Sequence, residues 1–235
     1  MADLVARLLG LDTCAVSDAL DRLGLTGVVL GIAPMSPPAK IGGRVVTIRL
    51  VDRTAANLPA GQAGAQTARH LGTAAIEAAQ PGDVIVIEHG RLDAAGWGGI
   101  LSAAAKKKGI AGVVCEGAVR DIDEARELGF PVFARAAVPL TARGRVVEES
   151  FNEPVTVGGV RVEPGDLVLA DGSGVVFLRP EHAEAIVGTA EQLVAREAAL
   201  VKEIEAGAPV SKVMSRTYEH MTQKEIGDGG KLQGR

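Results

Sequence analysis

Aromatic residues are scarce. Phenylalanine, tryptophan and tyrosine make up 3% of the 235 residues, so the core has to be built from aliphatic side chains. Cysteine is scarcer still: Cys14 and Cys115 are the only two, and they lie far apart. They make neither a disulfide framework nor a zinc-ligand pattern, which points to a reducing, cytoplasmic compartment. Both are expected to be buried structural residues. An excess of positive charge is also missing. The net charge of −4 argues against a nucleic-acid binder and against a polybasic membrane-surface protein. No apolar run approaches the roughly 18–20 residues of a membrane span. Met1 to Leu11 carries Asp3 and Arg7 and lacks the basic start and cleavage site of a signal peptide. GxGxxG after a strand, Walker A, HExxH and GxSxG are absent, which speaks against a dinucleotide cofactor and against S-adenosylmethionine-dependent methyl transfer.

What is present is a strand–helix alternation. Hydrophobic residues reach 47% and charged residues 23%, ordinary for a globular chain. Asp12 or Thr13 can cap a helix over Ala15–Leu23 that Gly24 stops. Gly42–Val51, Val84–Glu88, Ile110–Cys115 and Pro131–Ala134 read as strands. His70–Gln80, Trp97–Lys108 and Ile122–Leu128 read as helices. Residues 52–66 show no strong pattern. After residue 140 four short β-runs follow, at 155–157, 160–162, 167–169 and 175–178, split by glycine turns. Pro180 opens a long helix to Glu205 whose apolar stripe can pack on its own domain or on another subunit. A last helix is predicted over Arg216–Ile226. The sequence thus describes one α/β domain over residues 1–226, with a mixed sheet and a long C-terminal helix, and a disordered tail at 227–235.

The stretch Ala95–Asp121 carries the chemistry. A buried strand ends near Cys115, and Glu116-Gly117-Ala118-Val119-Arg120-Asp121 follows as a turn at a carboxyl strand end, where α/β sheets place ligands. Arg120 can hold a carboxylate through two parallel hydrogen bonds. Asp121 can bind a hard divalent cation, since magnesium takes one or two protein carboxylates and keeps several waters. The plainer alternative is that Asp121 caps the next helix and Arg120 pairs with a neighbour. Gly96, Gly98 and Gly99 precede Ile100, so backbone amides at this helix start can face an anion, or the glycines can form a simple tight turn. Lys106, Lys107 and Lys108 sit at a helix end, where a solvated face and dipole contacts are expected of them. His70, His89, His182 and His220 do not cluster and carry no assigned role.

These residues resemble the 4-hydroxy-4-methyl-2-oxoglutarate aldolase family, which also contains the regulator of ribonuclease E activity A. The resemblance spans nearly the whole chain. It rests on Cys14–Asp21 at the start, on the Gly-Val-Val and Gly-Ala-Val-Arg-Asp runs before Ile122, on Asn152–Val155, on Val162–Asp166 and on Ala170–Val176. It implies a swivelling β/β/α-type fold with a helical N-terminus, assembled as homotrimers or hexamers with sites between subunits. It implies a lyase that cleaves 4-hydroxy-2-oxo acids to pyruvate and decarboxylates oxaloacetate with Mg2+ or Mn2+. By position, Arg120 grips the small 2-oxo acid, Asp121 holds the metal, and the amides near Ile100 and Leu101, after Gly98 and Gly99, receive the pyruvyl carboxylate. Glu197, with Glu203 behind it, is the candidate glutamate from a neighbouring subunit's C-terminal helix. Glu116 stands where the family usually has aspartate and is a candidate metal contact through water. The aldolases carry an acid where this chain has Gly99. The alternative function within the resemblance is a non-catalytic binding protein like the ribonuclease regulator.

Overall fold

The computed structural model describes residues 2–38, 40–53 and 71–217. The chain opens with α1 (Ala2–Leu9) and α2 (Thr13–Leu23). Asp12 caps α2 by accepting a hydrogen bond from the Ala15 amide at 2.8 Å, and Gly24 ends it in the left-handed region at φ 67°. Two short strands, β1 (Val28–Val29) and β2 (Ala33–Pro34), lead to the twelve-residue β3 (Ile41–Asp52). Then α3 (Thr73–Ala78), β4 (Val84–Glu88), α4 (Gly99–Lys108), β5 (Gly112–Val119), α5 (Ile122–Leu128) and β6 (Val132–Ala137) alternate. The strands β7 (Val146–Phe151), β8 (Val155–Val157), β9 (Val160–Val162), β10 (Leu167–Asp171) and β11 (Gly174–Leu178) follow. The helices α6 (Pro180–Glu205) and α7 (Val210–Thr217) end the described chain.

The sheet runs β1-β11-β10-β3-β4-β5-β6-β2, with β7 also on β3 and with β8–β9 as a separate ribbon. β3, β4, β5 and β6 pair in parallel, and the neighbours on either side are antiparallel. β3 is the spine. Its first residues pair with β10 and its later ones with β4, so one strand belongs to both halves.

Side-chain alternation along the strands sorts the core into three clusters. Val46, Ile48, Ile85, Ile87, Val113 and Cys115 pack against α3, α4 and α5. Leu167, Leu169, Val176 and Leu178 pack against α1, α2 and α6. The opposite faces, with Val45, Val84, Val114 and Phe133 from one half and Val168, Val175 and Phe177 from the other, share a third cluster with β8–β9. The two halves therefore face each other through an apolar interior, and the helices cover the two outer sides. This is the mixed α/β architecture with N-terminal helices and a long C-terminal helix that the sequence implied.

Several elements differ from expectation. β5 runs to Val119 instead of ending near Cys115, because a register shift between Cys115 and Ala118 accommodates Glu116 and Gly117 and lets pairing with β6 resume. Residues 116–119 are thus strand, and the turn shrinks to Arg120–Asp121. β7 is a strand without an apolar run, because Glu148, Glu149 and Ser150 interrupt its pattern. α1 is a further helix ahead of the first one the sequence predicts. Cys14 is exposed, since α2 turns Ala15, Val16, Ala19 and Leu20 inward and leaves position 14 outside; Cys115 is buried as expected. α7 begins at Val210, and the helix expected over 216–226 lies, beyond Thr217, outside the described residues, as does the tail. Most of segment 52–66 is also outside them. In α6 the first half buries Ala183, Ile186, Val187, Ala190 and Leu193 on its own domain, while Val201 and Ile204 farther along are exposed. Among the described residues no helix is long and apolar enough to cross a membrane.

Candidate functional site

The site forms at the carboxyl ends of β4 and β5. The segment after β4 returns alongside β5: Gly96 donates its amide to the Ala118 carbonyl at 2.8 Å, and Arg120 donates its own to Trp97 at 3.0 Å. The Trp97 indole is buried and donates to Ser102 Oγ at 2.9 Å, which in turn donates to the Gly98 carbonyl at 3.1 Å. These bonds pin the start of α4 beside the end of β5. Gly98 precedes α4 in an extended conformation and provides no side-chain cap. The amides of Ile100 and Leu101 are left uncapped, with the positive end of the helix behind them. The Ile100 side chain is 87% exposed next to them.

Asp121 stands at the N-cap position of α5, yet its side chain does not cap that helix. Its backbone is left-handed, with φ 56° and ψ 41°. This orients the carboxylate toward α4, where Oδ2 accepts from the Gly99 amide at 2.9 Å and from Arg120 Nε at 3.1 Å. A left-handed L-residue costs about 1–2 kcal/mol, although aspartate tolerates it better than most. A hydrogen bond to a charged acceptor returns about 1.5–3 kcal/mol, enough to hold the conformation. The ion pair with Arg120 adds little, because the two side chains are 39% and 29% exposed. The capping alternative for Asp121 is thereby excluded. Arg120 does pair with a neighbour, but only through Nε. Its two terminal nitrogens and Asp121 Oδ1 carry no hydrogen bond among the described residues and are available to a ligand.

Charged side chains pack over both glycines. A Cβ on Gly98 would lie 2.8 Å from Asp121 Oδ2, and one on Gly99 would lie 1.8 Å from Glu124 Oε2. Glu124, in the first turn of α5, was not singled out in the sequence. The signal was the Asp121-Ile122-Asp123-Glu124 spacing, which marks an acid in the first turn of the helix.

The remaining candidates lie elsewhere. Glu116 is held by Arg135 at 3.1 Å and by the Gly158 amide of the β8–β9 turn. Plain alternation along β5 puts it on the same inner face as Val114, and the structure does not bring it to Asp121. Glu197 lies on α6, in the helical layer on the other outer side of the sheets. Burial raises its pKa above the usual range, and Asp18 and Asp12 raise it further. Within one chain it does not meet Arg120 and Asp121. Glu203 is exposed farther along the same helix. Lys106 donates to the carbonyls of Leu128 and Gly129 at the end of α5, and Lys108 to that of Glu77. These are dipole contacts, as the sequence suggested. His89 is buried between Gly96 and Gly117, and its Nε2 bonds the Ala94 carbonyl at 2.6 Å.

Among the described residues no three His, Cys, Asp or Glu side chains converge into a metal cage. The free Asp121 oxygen still fits an ion such as magnesium, which draws most of its ligands from water and substrate.

Comparison with known proteins places the chain in a family. Residues 13–177 match the family model described as RraA-like, Aldolase/RraA. The chain belongs to the Aldolase/RraA family. It is 31% identical over 191 residues to a Halalkalibacterium halodurans protein provisionally named 4-hydroxy-4-methyl-2-oxoglutarate aldolase, covering 81% of this chain and 83% of that one. It is 32% identical over 188 residues to DlpA of Legionella pneumophila, an alignment covering 80% of this chain and spanning only 29% of DlpA. Among solved structures it resembles Streptomyces coelicolor RraAS2, described as an unusual member of the RNase ES inhibitor RraA family, with a TM-score of 0.74 and 27% identity over 84% of this chain and 96% of that one.

Proposed function

We propose that this protein is a divalent-metal-dependent carbon–carbon lyase acting on 2-oxo acids, by aldol cleavage of a 4-hydroxy-2-oxo acid to pyruvate, by oxaloacetate decarboxylation, or by both. The observation that carries it is Asp121: a strained backbone aims its carboxylate away from its own helix and beside the free face of Arg120. The aldolase name of the Halalkalibacterium halodurans relative supports the same reading.

The uncapped amides of Ile100 and Leu101 receive the substrate's 1-carboxylate at the positive end of α4. The terminal nitrogens of Arg120 face the 2-oxo oxygen, and their fixed charge stabilises the negative charge that develops there as the carbon–carbon bond breaks. Asp121 would hold Mg2+ or Mn2+ through Oδ1. Such an ion, when bound, supplies Lewis-acid polarisation of the keto oxygen. Glu197, with Glu203 behind it, would reach this site only from a neighbouring subunit of a homotrimer or hexamer.

The test is pyruvate release from oxaloacetate and from 4-hydroxy-4-methyl-2-oxoglutarate with magnesium, manganese or chelator. Turnover that needs the ion and vanishes in Asp121→Ala is expected. No turnover of either substrate, together with a stable complex with a partner protein that survives Asp121→Ala, would instead establish a binding role like that of the ribonuclease inhibitors.

A further inference from the structure

Three charged side chains lie on the Gly98–Gly99 backbone. Asp121 and Arg120 cover Gly98, and Glu124 covers Gly99 with Oε2 at the place a Cβ would take. Nothing in the backbone demands glycine at 99, because its φ is not in the left-handed region. What the missing side chain creates is room, and the Glu124 carboxylate fills it. That carboxylate has no hydrogen-bond partner among the described residues and is exposed to solvent. It is therefore free to meet a ligand seated on the Ile100 and Leu101 amides. The neighbouring helix thus delivers a carboxylate to the place a side chain at position 99 would take.

We propose that Glu124 is a catalytic base of this site, specific to aldol cleavage. The proposal rests on the lyase reading above. In that reaction Glu124 takes the proton of the substrate's 4-hydroxyl. The C4–O bond becomes a carbonyl, the C3–C4 bond breaks, and its electron pair passes into the pyruvate enolate. Glu124 then returns the proton to C3, giving pyruvate with no net proton change. Oxaloacetate has no 4-hydroxyl proton to lose. Its decarboxylation breaks the C3–C4 bond with release of carbon dioxide, and solvent can protonate the enolate. Glu124 thus separates two reactions that Arg120 and Asp121 serve alike.

The experiment compares wild type, Glu124→Gln and the double variant Glu124→Ala, Gly99→Asp. A positioned general base contributes about 10²–10⁴-fold, so Glu124→Gln is expected to lose aldol cleavage by about 100-fold or more while keeping decarboxylation within a few-fold. The double variant, which places a carboxylate on residue 99 itself, is expected to recover cleavage. A second readout is exchange of pyruvate methyl protons with deuterated water by NMR, expected to slow in Glu124→Gln. That exchange decides the matter even if wild type decarboxylates oxaloacetate but cleaves no hydroxy acid offered. Equal loss of both reactions, or unchanged cleavage and exchange with only a shifted melting temperature, overturns the proposal and leaves Glu124 as a charge at the start of α5. If wild type releases no pyruvate from either substrate and exchanges no methyl protons, the lyase reading falls and this inference with it. Failure of Glu124 alone is recognised by intact wild-type turnover.

Discussion

The Asp121 carboxylate accepts the Gly99 amide at 2.9 Å across 22 positions of sequence, tying the end of one buried strand to the start of the helix before it. The bond occupies one carboxylate oxygen and leaves the other open. It also explains why a residue at an N-cap position does not cap. The side chain is already engaged with a different helix.

Asp121→Gly separates fold from function at this point. Glycine adopts φ 56° without the left-handed penalty but removes the acceptor for Gly99. The relief of about 1–2 kcal/mol and the lost hydrogen bond nearly offset each other. The melting temperature is expected to change by only a few degrees, while metal-dependent pyruvate release drops to background. Retained turnover would remove Asp121 from the site.

Glu116→Gln should do the reverse. Its carboxylate bonds Arg135 and the Gly158 amide, holding the β8–β9 ribbon against β5 and β6. Loss of its charge is expected to cost about 1–2 kcal/mol in urea unfolding. Magnesium affinity and turnover are expected to stay at wild-type levels. A weakened metal titration in this variant would return Glu116 to the metal's surroundings.

His89 makes stability pH-dependent. Burial pushes its pKa below the usual value, only partly opposed by the hydrogen bond to Ala94. Because the carbonyl can only accept, Nε2 carries the proton and the buried Nδ1 has no partner among the described residues. Above about pH 6.5, the unfolded-state value, neither state binds the proton and this residue adds no slope. Below it the unfolded chain protonates first, so stability falls as pH drops toward the folded-state pKa, by at most about 1.4 kcal/mol per pH unit. Urea unfolding of wild type and His89→Gln between pH 7 and pH 5 measures it. An equal slope in both would show that the imidazole is not the group responsible.

Much of this molecule was legible in one dimension. β4 and α5 match their predicted spans residue for residue, because a short apolar run between turn signals and a helix closed by Gly129 are local patterns. The Arg120–Asp121 pair was legible for the same reason, following a buried strand in a strand–helix alternation. α6 was read as a single apolar stripe, but it divides into a buried half and an exposed half.

The sequence by itself determined the alternation, the glycine stops and the chemistry available at the end of β5. The tertiary structure decided which of those groups meet. That Glu116 is taken up by Arg135 of β6 and by the Gly158 amide of the β8–β9 turn depends on segments 19 and 42 positions away. Whether Glu124 reaches Gly99 depends on how α4 and α5 pack, and whether Cys14 is covered depends on which face α2 turns to the sheet. Periodicity along a chain encodes the local backbone state and its apolar face. Convergence of polar side chains arises from contacts between segments distant in sequence, and a shift of one residue in a strand sends a carboxylate to the opposite side.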